Sequence, residues 1–228
     1  MKNWNAPENQ TTRCILLIAC ATALAVAFMV LLPQFADADP VTPPPVPANI
    51  RVPAGNKAFL EGHAVGTQNY ICLPCPNATT PQAMCPDASG FAWILFTPEA
   101  TLFNDDEKQI ITHFFSPNPF EKNTNPGVVA DDMIRAMWQD SRDTSTVWAM
   151  TIASSSDLNF VSPGAIPWLL LDVVGTEPGP TGGDRLTRTT FVQRLNTSGG
   201  IAPSTACTSS NVGAEAFVPY TADYFFFK

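Results

Sequence analysis

The sequence predicts an all-β domain, an antiparallel β-sandwich or jelly roll with long loops and little helix. Three observations carry that expectation. Short runs rich in β-branched and aromatic residues recur along the chain, separated by Gly, Pro, Asn and Ser clusters. The 22 prolines in 228 residues would repeatedly interrupt helices. An apolar fraction of 45% supplies enough material for a core and excludes a disordered chain.

Cys14 to Leu32 is a continuous apolar run preceded by Lys2 and Arg13. Ala36-Asp37-Ala38 follows it and fits the small-x-small cleavage pattern, so residues 1–38 read as a signal peptide. The run approaches the roughly 20 residues that span a bilayer, so an uncleaved membrane anchor over residues 14–32 is the alternative. Leu17-Ile18-Ala19-Cys20 has the look of a lipobox, but the apolar run continues past it. Each reading exports the domain to the periplasm or the extracellular space. Residues 39–53, with Pro40, Pro43, Pro44, Pro45, Pro47 and Pro53, read as an extended linker with no core of its own. Residues 54–228 read as one domain.

Within it, Val65 to Cys72 alternates with period two. Phe91–Thr97 and Lys108–Phe115 are short apolar runs, stopped by Pro98 and Pro117. Thr144–Ile152 is rich in Thr, Val and Trp, and Pro167–Val174 is apolar enough to be buried on both faces. Thr187–Leu195 alternates Thr, Phe and Val with Arg and Gln, and Ala216–Phe227 closes the chain with aromatics. One segment is contested. Val128, Val129, Met133, Ile134, Met137 and Trp138 recur at near-helical spacing. The favoured reading pairs Met133–Trp138 with Thr144–Met150 across a turn at Gln139–Asp143, because the second strand needs a neighbour.

Several strings, in order, carry a resemblance: GTQNYIC (Gly66–Cys72), TPEATLF (Thr97–Phe103), THFF (Thr112–Phe115), IPWLLL (Ile166–Leu171), VQRLNTSGGIAP (Val192–Pro203) and VPYTADYFF (Val218–Phe226). The chain resembles a secreted family known only as domain of unknown function 3455 (DUF3455). The resemblance implies an exported, mostly β domain with no assigned activity, cofactor or functional residue. Once residues 1–38 are gone, Cys72, Cys75, Cys85 and Cys207 remain, an even number that reads as two disulfides. A Cys72–Cys75 bridge would close a very small loop. The residues alone leave Cys72–Cys207 with Cys75–Cys85, and Cys72–Cys85 with Cys75–Cys207, both open. The resemblance favours the first, because Cys72 and Cys207 sit within the family pattern and Cys75 and Cys85 do not.

The chemistry-bearing residues are few. Cys72-Leu73-Pro74-Cys75 has redox spacing, but Pro76 and Asn77 continue it as a loop rather than the helix that lowers a thiol pKa. The chain has two histidines, His63 and His113, which is too few for a cupin-type metal cluster, so no metal and no cofactor are expected. Alternation puts His113 on one face with Ile111 and Phe115. Its plain reading is a hydrogen-bonded, partly buried histidine; its functional reading is ligand contact or proton transfer with Glu99. Asp105-Asp106-Glu107 reads as a solvated turn. There is no Gly-x-Ser-x-Gly elbow, phosphate loop or dinucleotide fingerprint. Trp138, Trp148 and Tyr220 are the candidate ligand-binding aromatics.

A net charge of −8 with 14% charged residues argues against nucleic acid or anionic lipid as a partner, and membrane contact is left to the N-terminal segment. The sequence therefore leans away from an enzyme and towards an envelope β-sandwich that binds an unidentified small ligand or envelope partner without catalysis. The alternative is an envelope enzyme acting on carbohydrate, with His113 and Glu99 as acid and base.

Overall fold

The computed structural model describes residues 41–75, 90–124 and 131–228. The signal or anchor over residues 1–38, Cys85, and Val128 with Val129 lie outside them. Among the described residues no helix is long and apolar enough to cross a membrane.

Eight strands close into one antiparallel barrel: β1 (Ala58–Pro74), β2 (Phe91–Phe103), β3 (Gln109–Lys122), β4 (Asp132–Asp140), β5 (Thr146–Ser155), β6 (Trp168–Glu177), β7 (Phe191–Gly199) and β8 (Glu215–Phe227). Each strand pairs with its neighbours in sequence, and β8 returns to β1 from Ala58↔Phe227 to Ile71↔Glu215. The all-β expectation holds, but the sandwich or jelly roll is replaced by a closed barrel. The physical reason is that period-two alternation is common to sandwiches and barrels. The pairing that separates them joins the first strand to the last and leaves no local trace.

The contested segment is a strand. Ala136, Met137, Trp138 and Gln139 pair with Ala149, Trp148, Val147 and Thr146 across the expected turn. Its near-helical spacing arises because both faces are covered: Met137 and Trp138 are adjacent and both buried. The turn is held by Asp140, whose carboxylate accepts from the Arg142 and Asp143 backbone N–H groups and pairs with Arg185 at 3.1 Å.

The even positions of β1 and β8 point inward. Leu60, Ala64, Gln68 and Tyr70 face Tyr220, Ala222, Tyr224 and Phe226, and all are buried. Of these, Leu60, Ala64, Ala222 and Phe226 join Leu102, Ile111, Val147 and Val192 to fill one end of the barrel. Each large apolar side chain so buried is worth about 1.5–3 kcal/mol. Gly66 marks a close crossing, where a Cβ would collide with the Glu99 carbonyl and Ala100 on β2.

The outward face of β6, β7 and β8 is also apolar, through Trp168, Leu170, Leu195, Phe225 and Phe227. It is covered by the proline-rich stretch. Ile50, in a 3-10 turn over Ala48–Ile50, is fully buried there, and Val41, Val46 and Val52 pack around it. Gln193 Nε2 donates to the Ile50 carbonyl at 2.6 Å and Asn49 Nδ2 to the Ser154 carbonyl at 2.7 Å. From Val41 onward, then, the expected linker is a strap on the barrel wall rather than a free spacer. Extended Pro-rich chain leaves its backbone polar groups unpaired internally, and here the barrel supplies partners while the interspersed Val and Ile supply contact.

Cys72 at the end of β1 is bonded to Cys207, with Cα atoms 5.5 Å apart. This excludes a Cys72-Cys75 redox dithiol and the Cys75–Cys207 alternative. Cys75 is also disulfide-bonded, and its partner lies outside the described residues. The Cys72–Cys207 bridge closes a separation of 135 residues and ties the long loop after β7 to the barrel. In the loop-entropy model such a closure is worth about 4–5 kcal/mol. Cys72→Ser combined with Cys207→Ser is therefore expected to lower thermal stability severely under oxidising conditions. Calorimetry of the double variant checks this, and a melting temperature within a few degrees of wild type would contradict the bridge's structural role.

Candidate functional site

An eight-stranded barrel has an interior just wide enough to be filled by side chains or to hold one small ligand. One end here is filled. The other is not, because neighbouring strands part. The β2–β3 ladder stops at Glu99↔Phe114, and β4–β5 has only the pairs from Ala136↔Ala149 to Gln139↔Thr146. Leu95 is opposite inward-facing Tyr70, and Ile134 alternates with inward-facing Trp138. Both point towards the barrel axis, yet they are 37% and 46% exposed. Beneath them lies a cavity of about 280 Å³, lined by Gln68, Tyr70, His113, Trp138, Arg194 and Tyr224 among others. A groove bordered by Phe96, Ile134 and Met150 shares Leu95, Phe115, Ala136 and Thr151 with the cavity and leads outward from it.

His113 is the histidine of the cavity. Its ring stacks on Trp138 with centroids 4.3 Å apart and planes 6° apart, and Tyr224 tilts against both. Nδ1 lies 2.8 Å from the Met137 carbonyl. A carbonyl only accepts, so Nδ1 carries the proton and Nε2 keeps its lone pair. Burial lowers the His113 pKa to about 3 and the Arg194 charge acts in the same direction, although the Met137 hydrogen bond opposes them. The imidazole is therefore neutral at physiological pH.

Arg194 is the charged residue of the cavity wall, and no carboxylate lines it. Nε and Nη2 donate to the Pro167 carbonyl at 3.2 and 2.9 Å. No Asp or Glu forms an ion pair with it among the described residues. Its charge also pulls down the Tyr70 and Tyr220 hydroxyl pKa values, which burial raises more strongly. The Gln68 amide lies close enough to the Tyr220 hydroxyl to lower its pKa, but the buried Nε2 makes no hydrogen bond of good geometry among the described residues. Leaving such a donor unpaired costs about 1–3 kcal/mol. Trp138 Nε1 likewise has no partner among the described residues, whereas Tyr70 donates to the Gly200 carbonyl at 2.7 Å and the Tyr220 and Tyr224 hydroxyls lie 3.4 Å apart.

Glu99 does not join this site. It is exposed and opposite Phe114, one position out of phase with the Ala100↔His113 pair, so Glu99 and His113 face opposite sides of the wall. The expected proton-transfer pair is not formed. Trp138 lines the cavity as expected of a binding aromatic, and Tyr220 is buried in the adjoining core. Trp148 faces the outer side, covered edge-on by Phe120 with ring centroids 5.9 Å apart. Arg194 and Gln68 were not singled out in the sequence. The only signal was an Arg and a Gln at alternate positions of otherwise apolar, strand-like runs.

His63 belongs to a separate cluster on the outer wall. Nδ1 is 2.7 Å from Asp223 and Nε2 is 3.0 Å from Asp105, in the acidic turn between β2 and β3. Burial lowers its pKa, but the hydrogen bonds to Asp223 and Asp105 outweigh that and raise it. Glu61 is raised by burial and by the same carboxylates. Glu61, His63 and Asp223 bring ligand-type atoms within 4.8 Å of one another and could hold a cation. When protonated, the imidazole itself fills that electrostatic role, flanked by two carboxylates.

Residues 53–228 match the model of the family described as protein of unknown function (DUF3455), so the chain belongs to that family. No curated protein and no solved structure matches.

The two histidines are expected to titrate in opposite senses. His113, with a folded pKa of about 3 against 6.5 unfolded, binds fewer protons folded than unfolded between those values. Its stabilising contribution is full above pH 6.5 and is lost as pH falls, by about 1.4 kcal/mol per pH unit. His63, raised above 6.5, contributes below 6.5, and that contribution is lost as pH rises through its folded pKa. Histidine-ring NMR should show one midpoint above 6.5 and one ring that stays neutral to below pH 4. Unfolding measurements should give a shallower acid limb in His113→Phe than in wild type. A His113 midpoint near 6.5 would contradict the buried stack.

Proposed function

We propose that this member of the DUF3455 family is an exported, non-catalytic binding protein whose barrel interior takes one small, largely apolar ligand. The observation that carries this reading is the asymmetry of the barrel. Inward-facing Leu102, Ile111, Val147 and Phe226 are fully buried at one end, while inward-facing Leu95 and Ile134 are exposed at the other. Exposing aliphatic side chains on an inner face has a cost that ligand burial recovers. The cavity volume of about 280 Å³ is near the lower end for small-molecule sites and sets the ligand as small.

Two features support non-catalysis. The His113 imidazole is neutral with its Nδ1–H committed to the Met137 carbonyl, and no carboxylate lines the cavity to share proton transfer. The enzyme reading that used His113 with Glu99 therefore lacks its pair. A flat carbohydrate platform is not supported either, because Trp138, Trp148 and Trp168 are buried. Export is supported by the disulfides at Cys72–Cys207 and at Cys75, which persist in oxidising compartments, together with the apolar run over residues 14–32.

The test is titration of the purified domain with 1-naphthylamine, a neutral, largely apolar fluorophore whose size matches the cavity. Saturable binding at one site is expected, accompanied by quenching of Trp138 fluorescence. Ala136→Phe, which fills the cavity wall, should weaken binding at least tenfold, whereas Phe217→Ser on the outer wall should leave it unchanged. Equal binding in Ala136→Phe, or no saturable binding in wild type, would overturn the reading.

A further inference from the structure

We infer that the ligand is a small monocarboxylic acid, its carboxylate held by the Arg194 guanidinium and the Gln68 side-chain amide and its apolar body directed along Leu95 to the mouth. The inference builds on the interior-binding reading above and adds the chemical class. Two independent observations carry it.

First, Arg194 places a permanent positive charge on the cavity wall with no carboxylate there to answer it. Two of its nitrogens are spent on the neutral Pro167 carbonyl, which fixes the guanidinium plane without compensating its charge. A guanidinium presents donors in a rigid fork that matches a carboxylate in two-point contact. Second, Gln68 is 2% exposed, and its Nε2 lies close enough to the Tyr220 hydroxyl to lower that pKa but makes no hydrogen bond of good geometry among the described residues. A buried amide donor on the same cavity wall calls for an acceptor. A guanidinium and an NH₂ group both donate, so the complementary group is an acceptor, and the guanidinium charge favours an anionic one.

The charge count selects among anions. His113 is neutral, so the cavity offers one positive charge. A monoanion is neutralised by it. A phosphate dianion would leave one charge uncompensated in a site of low dielectric, which burial penalises heavily. The body is constrained as well. The His113–Trp138 stack and Leu95, Leu169 and Leu171 form the rest of the wall. With about 30 Å³ per water-sized unit, the cavity has room for on the order of ten non-hydrogen atoms. This fits a short aromatic or branched acid and excludes full enclosure of a long-chain one.

Competition against 1-naphthylamine tests the class with three probes of one skeleton: 3-phenylpropanoate, 3-phenylpropan-1-ol and 3-phenylpropyl phosphate. In wild type the acid is expected to bind at least tenfold tighter than the alcohol and tighter than the phosphate. Arg194→Met should abolish the acid's advantage while fluorophore and alcohol still bind, which shows that the barrel is folded. Arg194→Lys should restore part of the advantage, and Gln68→Met should reduce it by a smaller factor. If the fluorophore binds but acid and alcohol are equal, the carboxylate assignment is wrong and interior binding stands. The same holds if the phosphate is tightest or if the preference survives Arg194→Met. If neither fluorophore nor acid binds, the interior-binding reading itself falls.

Discussion

The structure depends on the pairing between β1 and β8. That ladder turns a chain of hairpins into a closed wall, and it decides which residues face the interior. With His63 opposite Asp223 and Gln68 opposite Val218, the even positions of both strands point inward and the odd positions outward. A slip of one residue would exchange the two sets and expose Tyr224 and Phe226 to solvent. The Cys72–Cys207 bond and the hydrogen bonds between Cys72 and the loop at Gly213 and Ala214 tie the mouth end of β1 next to this ladder. Closure gives every strand a neighbour on both sides, and strand edges stay open where β2–β3 and β4–β5 part at the mouth.

Closure also concentrates a few polar groups where water is scarce. Arg194, Gln68 and His113 come from β7, β1 and β3, which the barrel wraps around one cavity. Burial acts on them unequally. The imidazole responds by staying neutral, whereas a guanidinium cannot give up its proton and keeps its charge. The outer wall shows the opposite outcome. There His63 lies between Asp223 and Asp105, the carboxylates favour the imidazolium, and the charge is answered locally. The contrast between an answered cation outside and an unanswered one inside identifies the interior as the place where something is missing.

Much of this was legible in the sequence. The runs at Val65–Cys72, Phe91–Thr97, Lys108–Phe115, Thr144–Ile152, Pro167–Val174, Thr187–Leu195 and Ala216–Phe227 all fall on or overlap strands, and Met133–Trp138 joined them as a strand because Thr144–Met150 needed a partner. The Cys72–Cys207 bond was preferred through family resemblance rather than geometry. Closure was not legible, because Ala58↔Phe227 is a contact between chain-distant positions with no local signature. Within residues 39–53 proline dominates the pattern and conceals the apolar contacts that Val41, Val46, Ile50 and Val52 make with the barrel wall. His113 was noticed for its rarity, but its proposed partner was wrong: Glu99 pairs in register with Phe114, not His113, and so faces outward. Arg194 looked like an ordinary polar residue in an alternating strand. Its isolation from carboxylates is a property of the closed interior alone.

The central claim is that Arg194, a part-buried cation on the cavity wall with no carboxylate beside it there, binds an acid. A crystal structure of the domain grown with 3-phenylpropanoate tests it most directly. The account predicts the carboxylate in two-point contact with Arg194 and in hydrogen-bond reach of Gln68 Nε2, with the phenyl ring between the His113–Trp138 stack and Leu95. An Arg194 already paired with a carboxylate of the protein itself, or a ligand bound only on the outer wall, would contradict it.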